Sequence, residues 1–342
     1  MRIVHFIFSF QTGGSETMLV DIINEQVRNN TITLIILNDQ VNEQLLNQVD
    51  GRVKIIKIGR LEKSRNLMPV IRLNWHLFIL HPDIIHCHSY SAAGVIFFKR
   101  NILLTAHTIN IPVKYHNRYR KIFAISGAVK KDIEKRCNIK PIVINNGIDI
   151  KKVKEKTDYN YSIFKIVQVS RMDHEKKGQH ILIEAMNILI NQKWISNIKI
   201  DFIGDGASFD YLERLVLDYK LEKQINFLGF RDREYIYEHL RDYNLLVQPS
   251  LYEGFGLTIV EGMAAKVPVL VSDIDGPAEV VQEGKFGWIF KSGSEVDCAN
   301  QIFNIIQTTN SQTFFEKVEA AYEYANTSFS IENTAACYSN EY

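Results

Sequence analysis

One pattern constrains this chain more than any other. Short apolar runs, each ending in a polar or glycine-rich turn, alternate with helical spacing from end to end. Arg2–Phe8 is rich in β-branched and aromatic residues, as strands buried on both faces are. Similar runs stand at Thr31–Leu37, Val53–Ile58, Asp83–His86, Ile102–Ala106, Ile122–Ile125 and Ile142–Ile144. Helical spacing fills the gaps at Thr17–Val27, Val41–Val49, Leu67–Leu80 and Ala128–Arg136. Strands that alternate with helices build a parallel sheet covered on both faces. Lys151–Tyr161 is polar and aperiodic, and the pattern restarts at Phe164–Val169. It continues through Ile198–Ile203, Ile225–Leu228, Leu245–Val247 and Pro268–Ser272. The expected fold is therefore α/β, with two Rossmann-like doubly wound domains facing an interdomain cleft. A chain of 342 residues is long enough for both. The expected boundaries are 1–155 and 156–325, followed by a polar, aromatic tail, 326–342.

In open α/β sheets ligands lie beyond the carboxyl ends of the strands. In the first half His86, His88, His107, Ser126 and Asn146 gather at such ends. One histidine there would read as structural; several at successive strand ends read as a polar cleft. Gly13-Gly14-Ser15-Glu16 follows the first strand, with no third glycine to complete a dinucleotide fingerprint, which argues against a nicotinamide enzyme. His86 and His88 share one face of their strand. No carboxylate or cysteine set accompanies them, so no metal is expected.

The second half is organised around Leu245–Val281. An apolar run is stopped by Pro249 and Ser250; Glu253 then sits in a loop with Gly254 and Gly256 close behind. Glu261 lies inside the helix that follows. Glycines let a ligand approach the backbone, and amides at a helix start suit an anion. By itself the stretch suggests a phosphate with a carboxylate on each side.

Composition narrows the setting. The net charge of +1 hides an asymmetry. Residues 1–150 hold 20 Lys/Arg and 11 Asp/Glu, hence +9, and the rest carries 20 − 28 = −8. A basic half can meet nucleic acid, an anionic membrane or a phosphorylated substrate, or its charge can be merely solvated. The helix Ala128–Arg136 has one basic face that can lean on anionic lipid headgroups. Cys87, Cys137, Cys298 and Cys337 are scattered, which fits a reducing compartment rather than a zinc site or disulfide framework. No signal peptide is visible, and no apolar stretch reaches the roughly 18 residues of a membrane span. A cytoplasmic protein, peripheral at most on the inner face of the cell membrane, is expected.

Taken in order, several pieces resemble the family 4 retaining glycosyltransferases of GT-B fold. They are Gly13-Gly14-Ser15-Glu16, the strand-end His107, Asn146-Gly147-Ile148-Asp149, Arg171 with Lys177-Gly178, Gly204-Asp205-Gly206, and Glu253-x7-Glu261. The resemblance spans nearly the whole chain. It implies that Arg171 and Lys177 hold a donor diphosphate, whose charge grows as the sugar–phosphate bond breaks; Lys176, next door, is the alternative lysine. It implies that Glu253 holds sugar hydroxyls and Glu261 the ribose, with backbone from Gly254 and Phe255 through Gly256, Leu257 and Thr258 completing the site. Gly13, Gly14, Gly204 and Gly206 would lie along the donor, Phe230 and Arg231 near its base, and His107 at its sugar. His88, Ser126 and Asn146 remain acceptor-side candidates. The tail resembles a C-terminal helix that crosses back to the first domain. Neither glutamate is then a glycosidase-type nucleophile. Asp273-x-Asp275 reads as a coincidence, since the family needs no metal. The resemblance implies transfer from a nucleotide sugar, UDP-linked on family frequency, to a glycan or lipid-linked acceptor in cell-surface polysaccharide assembly, with no cofactor and no nucleic acid. A nucleotide-sugar epimerase of the same architecture and a non-catalytic nucleotide-sugar binding protein are the alternatives.

Overall fold

The computed structural model describes residues 1–342 except 12, 63, 99, 100, 113 and 194. The chain forms two compact units. The first is Met1–Ile148 together with Ser330–Tyr342, and the second is Asp149–Phe329.

The first unit is built on seven parallel strands. They are β1 (Arg2–Ile7), β2 (Thr31–Asn38), β3 (Lys54–Arg60), β4 (Ile84–Cys87), β5 (Ile102–Ala106), β6 (Lys121–Ala124) and β7 (Ile142–Val143). Their order is β3-β2-β1-β4-β5-β6-β7. The order reverses between β1 and β4, where Ile3 pairs with Ile84 and His5 with His86. In a doubly wound sheet this switch point is where ligands bind. Helices α1 (Gly14–Gln26), α2 (Glu43–Leu46), α3 (Met68–Leu80) and α4 (Gly127–Arg136) connect the strands. The helical pattern at Val41–Val49 shortens to the single turn of α2, because Val41 bridges Phe10 instead.

The second unit repeats the plan with six parallel strands. They are β8 (Phe164–Val169), β9 (Ile198–Ile203), β10 (Ile225–Gly229), β11 (Leu245–Gln248), β12 (Val269–Ser272) and β13 (Trp288–Phe290). Their order is β10-β9-β8-β11-β12-β13, reversing between β8 and β11. The helices are α5 (His174–Lys177), α6 (Gln179–Asn191), α7 (Phe209–Asp218), α8 (Arg233–His239), α9 (Leu257–Ala264), α10 (Asp275–Val280), α11 (Glu295–Thr308) and α12 (Gln312–Ser328). Its core holds Phe164, Ile200, Phe202, Leu245 and Val247 from the sheet against Leu182, Met186 and Leu189 of α6. Burying a side chain of this size contributes about 1.5–3 kcal/mol.

Residues 149–155, expected with the first domain, belong to the second. Backbone bonds tie the segment there: the amides of Lys154 and Lys156 donate to the carbonyls of Tyr237 and Ala265. The polar tail folds as α13 (Ile331–Glu341), which packs on α1 within the first unit. Ile148 bridges Ser330, and a Cβ on Gly147 would stand 2.6 Å from the Ser330 carbonyl oxygen. Glycine is what lets β7's exit lie against this returning segment.

Candidate active site

In the second unit the carboxyl ends of β8, β9 and β11 meet through glycines. α5 is one turn, closed by Gly178 at φ +67°. A Cβ there would sit 1.9 Å from the Pro249 carbonyl oxygen, so both the left-handed conformation and the close pass require glycine. The Lys176 carbonyl accepts from the amides of Leu251 and Tyr252 at 2.8 and 3.0 Å, fixing the loop after β11 against α5. This clamp places Lys177 Nζ 2.5 Å from Glu253 Oε2, with the side chains only 23% and 18% exposed. Lys176 turns outward instead, paired with Asp173 at 3.1 Å and 60% exposed. Between the two adjacent lysines, only Lys177 reaches Glu253.

Arg171 leaves the end of β8 and is exposed, its carbonyl held by Gln179 Nε2 at 2.7 Å. Gly204 and Gly206 serve this loop rather than open space. A Cβ on Gly204 would lie 2.1 Å from the Ser170 carbonyl oxygen, and one on Gly206 2.6 Å from that of Met172. The two glycines thus let the β9 loop press against the β8 loop that carries Arg171.

Gly256, at φ +99°, caps the start of α9. The first turn of a helix leaves amides without intrahelical partners and carries the positive end of the dipole. Leu257 and Thr258 occupy that turn half-buried, and Thr258 Oγ1 donates to Gln248 Oε1 at 3.2 Å. Glu261 lies one turn on and is buried. Phe255 is committed to the core, edge-on to Phe329 at 5.5 Å. Phe230 and Arg231 are exposed beyond β10, the guanidinium 5.4 Å from the Tyr235 ring centroid. Asp273 Oδ1 accepts from the Ser292 amide at 2.7 Å, a structural employment. One contributor escaped the sequence reading: a Cβ on Gly276 would stand 2.5 Å from the Glu253 carbonyl oxygen. Gly276 thereby seats α10 beneath the Glu253–Gly254 loop. The Gly276-Pro277 pair after a strand was its only sequence signal.

In the first unit β1, β4 and β5 bring four imidazoles together. His5 Nδ1 lies 3.0 Å from His88 Nε2, and His88 Nδ1 lies 3.1 Å from His107 Nε2. His86 sits beside them, its ring centroid 4.5 Å from that of His88. Burial holds His5 and His107 down to about 4, and lowers His86 and His88 well below the usual histidine range. All four rings are therefore neutral near pH 7. Ligand atoms of His5, His86 and His88 lie within 4.8 Å of one another, close enough to share a metal. Both nitrogens of His5, His86 and His88 are already hydrogen-bonded, to one another, to His107 or to Gln26, Thr105 and Tyr342. The sequence reading did not include His5, which lies on β1 inside an apolar run.

The remaining first-unit candidates have structural employment or none. Ser126 is buried as the N-cap of α4, its hydroxyl accepting from the Val129 amide. Asn146 is buried, with Oδ1 unpartnered among the described residues. Gly13, extended at φ −164°, caps α1, and Gly14 opens it; Glu16 takes the Ser15 hydroxyl at 2.6 Å. The expected basic face on α4 is partly consumed, since Arg136 binds Asp132. A different surface stands out on α3. Met68, Ile71, Trp75, Phe78 and Ile79 are each more than half exposed, while Val70, Leu73 and Leu77 are buried. The sequence showed this helix, but apolar residues surround Arg72, Asn74 and His76 on more than one side, which hid the side that would lack a cover.

Comparison with known proteins follows the same division. Residues 149–326 match the family model described as Glycosyl transferases group 1, and residues 12–152 match Glycosyltransferase Family 4. A relative in Methanocaldococcus jannaschii, an uncharacterized glycosyltransferase, is 30% identical over 54% of this chain and 49% of its own length. The poly(ribitol-phosphate) alpha-N-acetylglucosaminyltransferase of Staphylococcus aureus is 26% identical over 56% of this chain and 37% of its own length. The chain thus spans about half or less of these curated relatives. Among solved structures, Anabaena HepE in complex with UDP and glucose superposes with a TM-score of 0.83, at 22% identity over 100% of this chain and 99% of that one. A Staphylococcus aureus TarM mutant, in complex with Fondaparinux, alpha-GlcNAc-glycerol and UDP, superposes with a TM-score of 0.80. It is 15% identical and covers 99% of each chain. The expected GT-B fold is the fold shared with these structures.

Proposed function

The chain belongs to the group 1 glycosyl transferases, and from that premise we propose a retaining, metal-independent transfer of a sugar from a UDP-linked donor to a glycan or lipid-linked acceptor of the cell surface. The observation that carries the reading is the Lys177–Glu253 pair beside the α9 N-terminus, on the same strand ends as Arg171. The donor diphosphate takes Lys177 and Arg171 as countercharge, with the first amides of α9 adding to it. Glu253 is thereby released to accept hydrogen bonds from sugar hydroxyls, and Glu261 accepts those of the ribose. The cations stabilise charge as it grows on the leaving phosphate, where fixed donors count most. No carboxylate is then needed as a nucleophile, and no metal as a Lewis acid. His107 contributes a neutral ring to the sugar.

The UDP assignment is supported by the UDP seen with both solved relatives. A thermal-shift screen of nucleotide sugars identifies the donor, because a ligand at 100 times its Kd stabilises the fold by about 2.7 kcal/mol. With that donor, Lys177→Ala and Glu253→Ala each lower transfer by about 10²–10³-fold, and a chelator leaves it unchanged. Full turnover in either variant, or an epimerised donor formed without acceptor, refutes the proposal.

A peripheral contact with anionic membrane is part of the same reading. Among the described residues no helix is long and apolar enough to cross a membrane. The exposed stripe of α3 lies on the basic half of the chain, and apolar residues flanked by positive charge are what an interfacial helix needs.

A further inference from the structure

His107 Nδ1 is a buried polar atom with no hydrogen-bond partner among the described residues. It is also the open end of an unbranched chain of hydrogen bonds. Tyr338 and Thr105 hydroxyls are 3.2 Å apart, and Thr105 Oγ1 is 2.7 Å from His86 Nε2. His86 Nδ1 is 2.7 Å from the Tyr342 hydroxyl, which is 3.1 Å from Gln26 Nε2. Gln26 Oε1 is 2.9 Å from His5 Nε2. From His5 the chain runs through His88 to His107. α13 and β5 thus supply one end, α1 the middle, and β1 and β4 the rest.

Each neutral imidazole has one proton to give and one lone pair with which to accept, whereas a hydroxyl has one proton and two lone pairs. No ring here is partnered by a carboxylate among the described residues, and burial keeps all four neutral. The two bonds that join His5, His88 and His107 directly must therefore point the same way, whereas the Tyr342 hydroxyl can accept from both its neighbours and so makes the His86 tautomer independent of theirs. If they point toward His107, then His5, His88 and His107 carry their proton on Nδ1, and His107 presents a donor. If they point from His107 toward Gln26, then His5 gives its Nε2 proton to Gln26 and receives one from His88. His88 in turn receives from His107. In that arrangement His5, His88 and His107 are protonated on Nε2, the tautomer that a neutral histidine side chain favours by itself. Gln26 then keeps the amide orientation that donates to Tyr342 and accepts from His5.

We propose that Gln26, His5 and His88 are positioning residues that fix His107 as its Nε2-protonated tautomer, presenting Nδ1 as an acceptor for a ligand hydroxyl. The part played by the ligand rests on the transferase reading; the tautomers themselves do not. A mixed set among these three rings is forbidden, because it would place two protons or none within one hydrogen bond.

Histidine-selective ¹⁵N labelling and two-bond ¹⁵N–¹H correlation of the full chain, without ligand at pH 7, read each ring directly. The expected result is Nε2 protonation of His5, His88 and His107. Nδ1 protonation of those three would overturn the acceptor assignment, and a mixed set among them would overturn the chain. Gln26→Leu removes the acceptor for His5 Nε2–H, so His5, His88 and His107 reverse to Nδ1–H. A purely structural Gln26 would leave His107, two rings away, unchanged. Gln26→Glu keeps an acceptor and retains Nε2–H. Transfer by the wild type is scored separately, so loss of the enzymatic reading leaves the tautomer result standing.

Discussion

Acidification should weaken the first unit through His5, and the size of the effect follows from its burial. His5 is 0% exposed and its pKa is lowered to about 4 from the model-peptide value of 6.5. Between those values the unfolded chain binds a proton that the folded ring refuses, so stability falls as pH falls through 6.5. At pH 7 the contribution is nearly complete. At pH 5 the unfolded ring is almost wholly protonated and the folded ring about one-tenth so, a loss of about 2 kcal/mol relative to pH 7. Against a domain stability of about 5–15 kcal/mol this is readily measured. His5→Gln removes the titration while keeping a donor and an acceptor. Urea unfolding followed by circular dichroism at pH 7, 6 and 5 gives the comparison. His5→Gln is less stable than wild type at pH 7, yet loses about 2 kcal/mol less on going to pH 5. Parallel pH dependences in the two proteins would refute the view that His5 is held neutral by burial.

Two further outcomes test other parts of the structure. Gly178→Ala and Gly229→Ala both place a side chain near φ +68°, but only the first meets a carbonyl, at 1.9 Å, while the second has nothing within 4 Å. By urea titration Gly229→Ala loses about 1 kcal/mol and Gly178→Ala clearly more, and equal losses would mean the β11 loop does not press on α5. Liposome flotation should show binding to vesicles containing anionic lipid, lost at least tenfold in Trp75→Ser/Phe78→Ser; binding unaffected by that pair would remove α3 as the contact.

Much of this architecture was legible because parallel strands buried on both faces write themselves as apolar runs. Ile102–Ala106, Phe164–Val169 and Ile198–Ile203 fall where the sequence puts them. β13 escaped because three residues, Trp288–Phe290, are too few to show a period, and Gly287 precedes them. The segment 149–155 was assigned to the wrong side of the boundary because backbone bonds to Tyr237 and Ala265 leave no mark on side-chain pattern. At the site, the motif residues gave candidates but not partners. Lys176 and Lys177 are equivalent in sequence; the αL turn at Gly178 separates them. The four-histidine chain needed three dimensions altogether. His5 and His86 are register partners on adjacent strands, and Tyr342 reaches them from the far end of the chain.

The first unit's discontinuity has a bearing on synthesis. Ile148 must wait for Ser330, and His86 for Tyr342, until residues 149–329 have been translated. At about 5–20 residues per second that interval is roughly 10–40 s. During it a nascent β1–β7 sheet is present with His86 and Gln26 lacking the tyrosine between them, and with the face of α1 that α13 will cover still bare. The ribosome thus delivers the second unit before the first can be closed, and any chaperone that attends this chain has that bare face of α1 to guard.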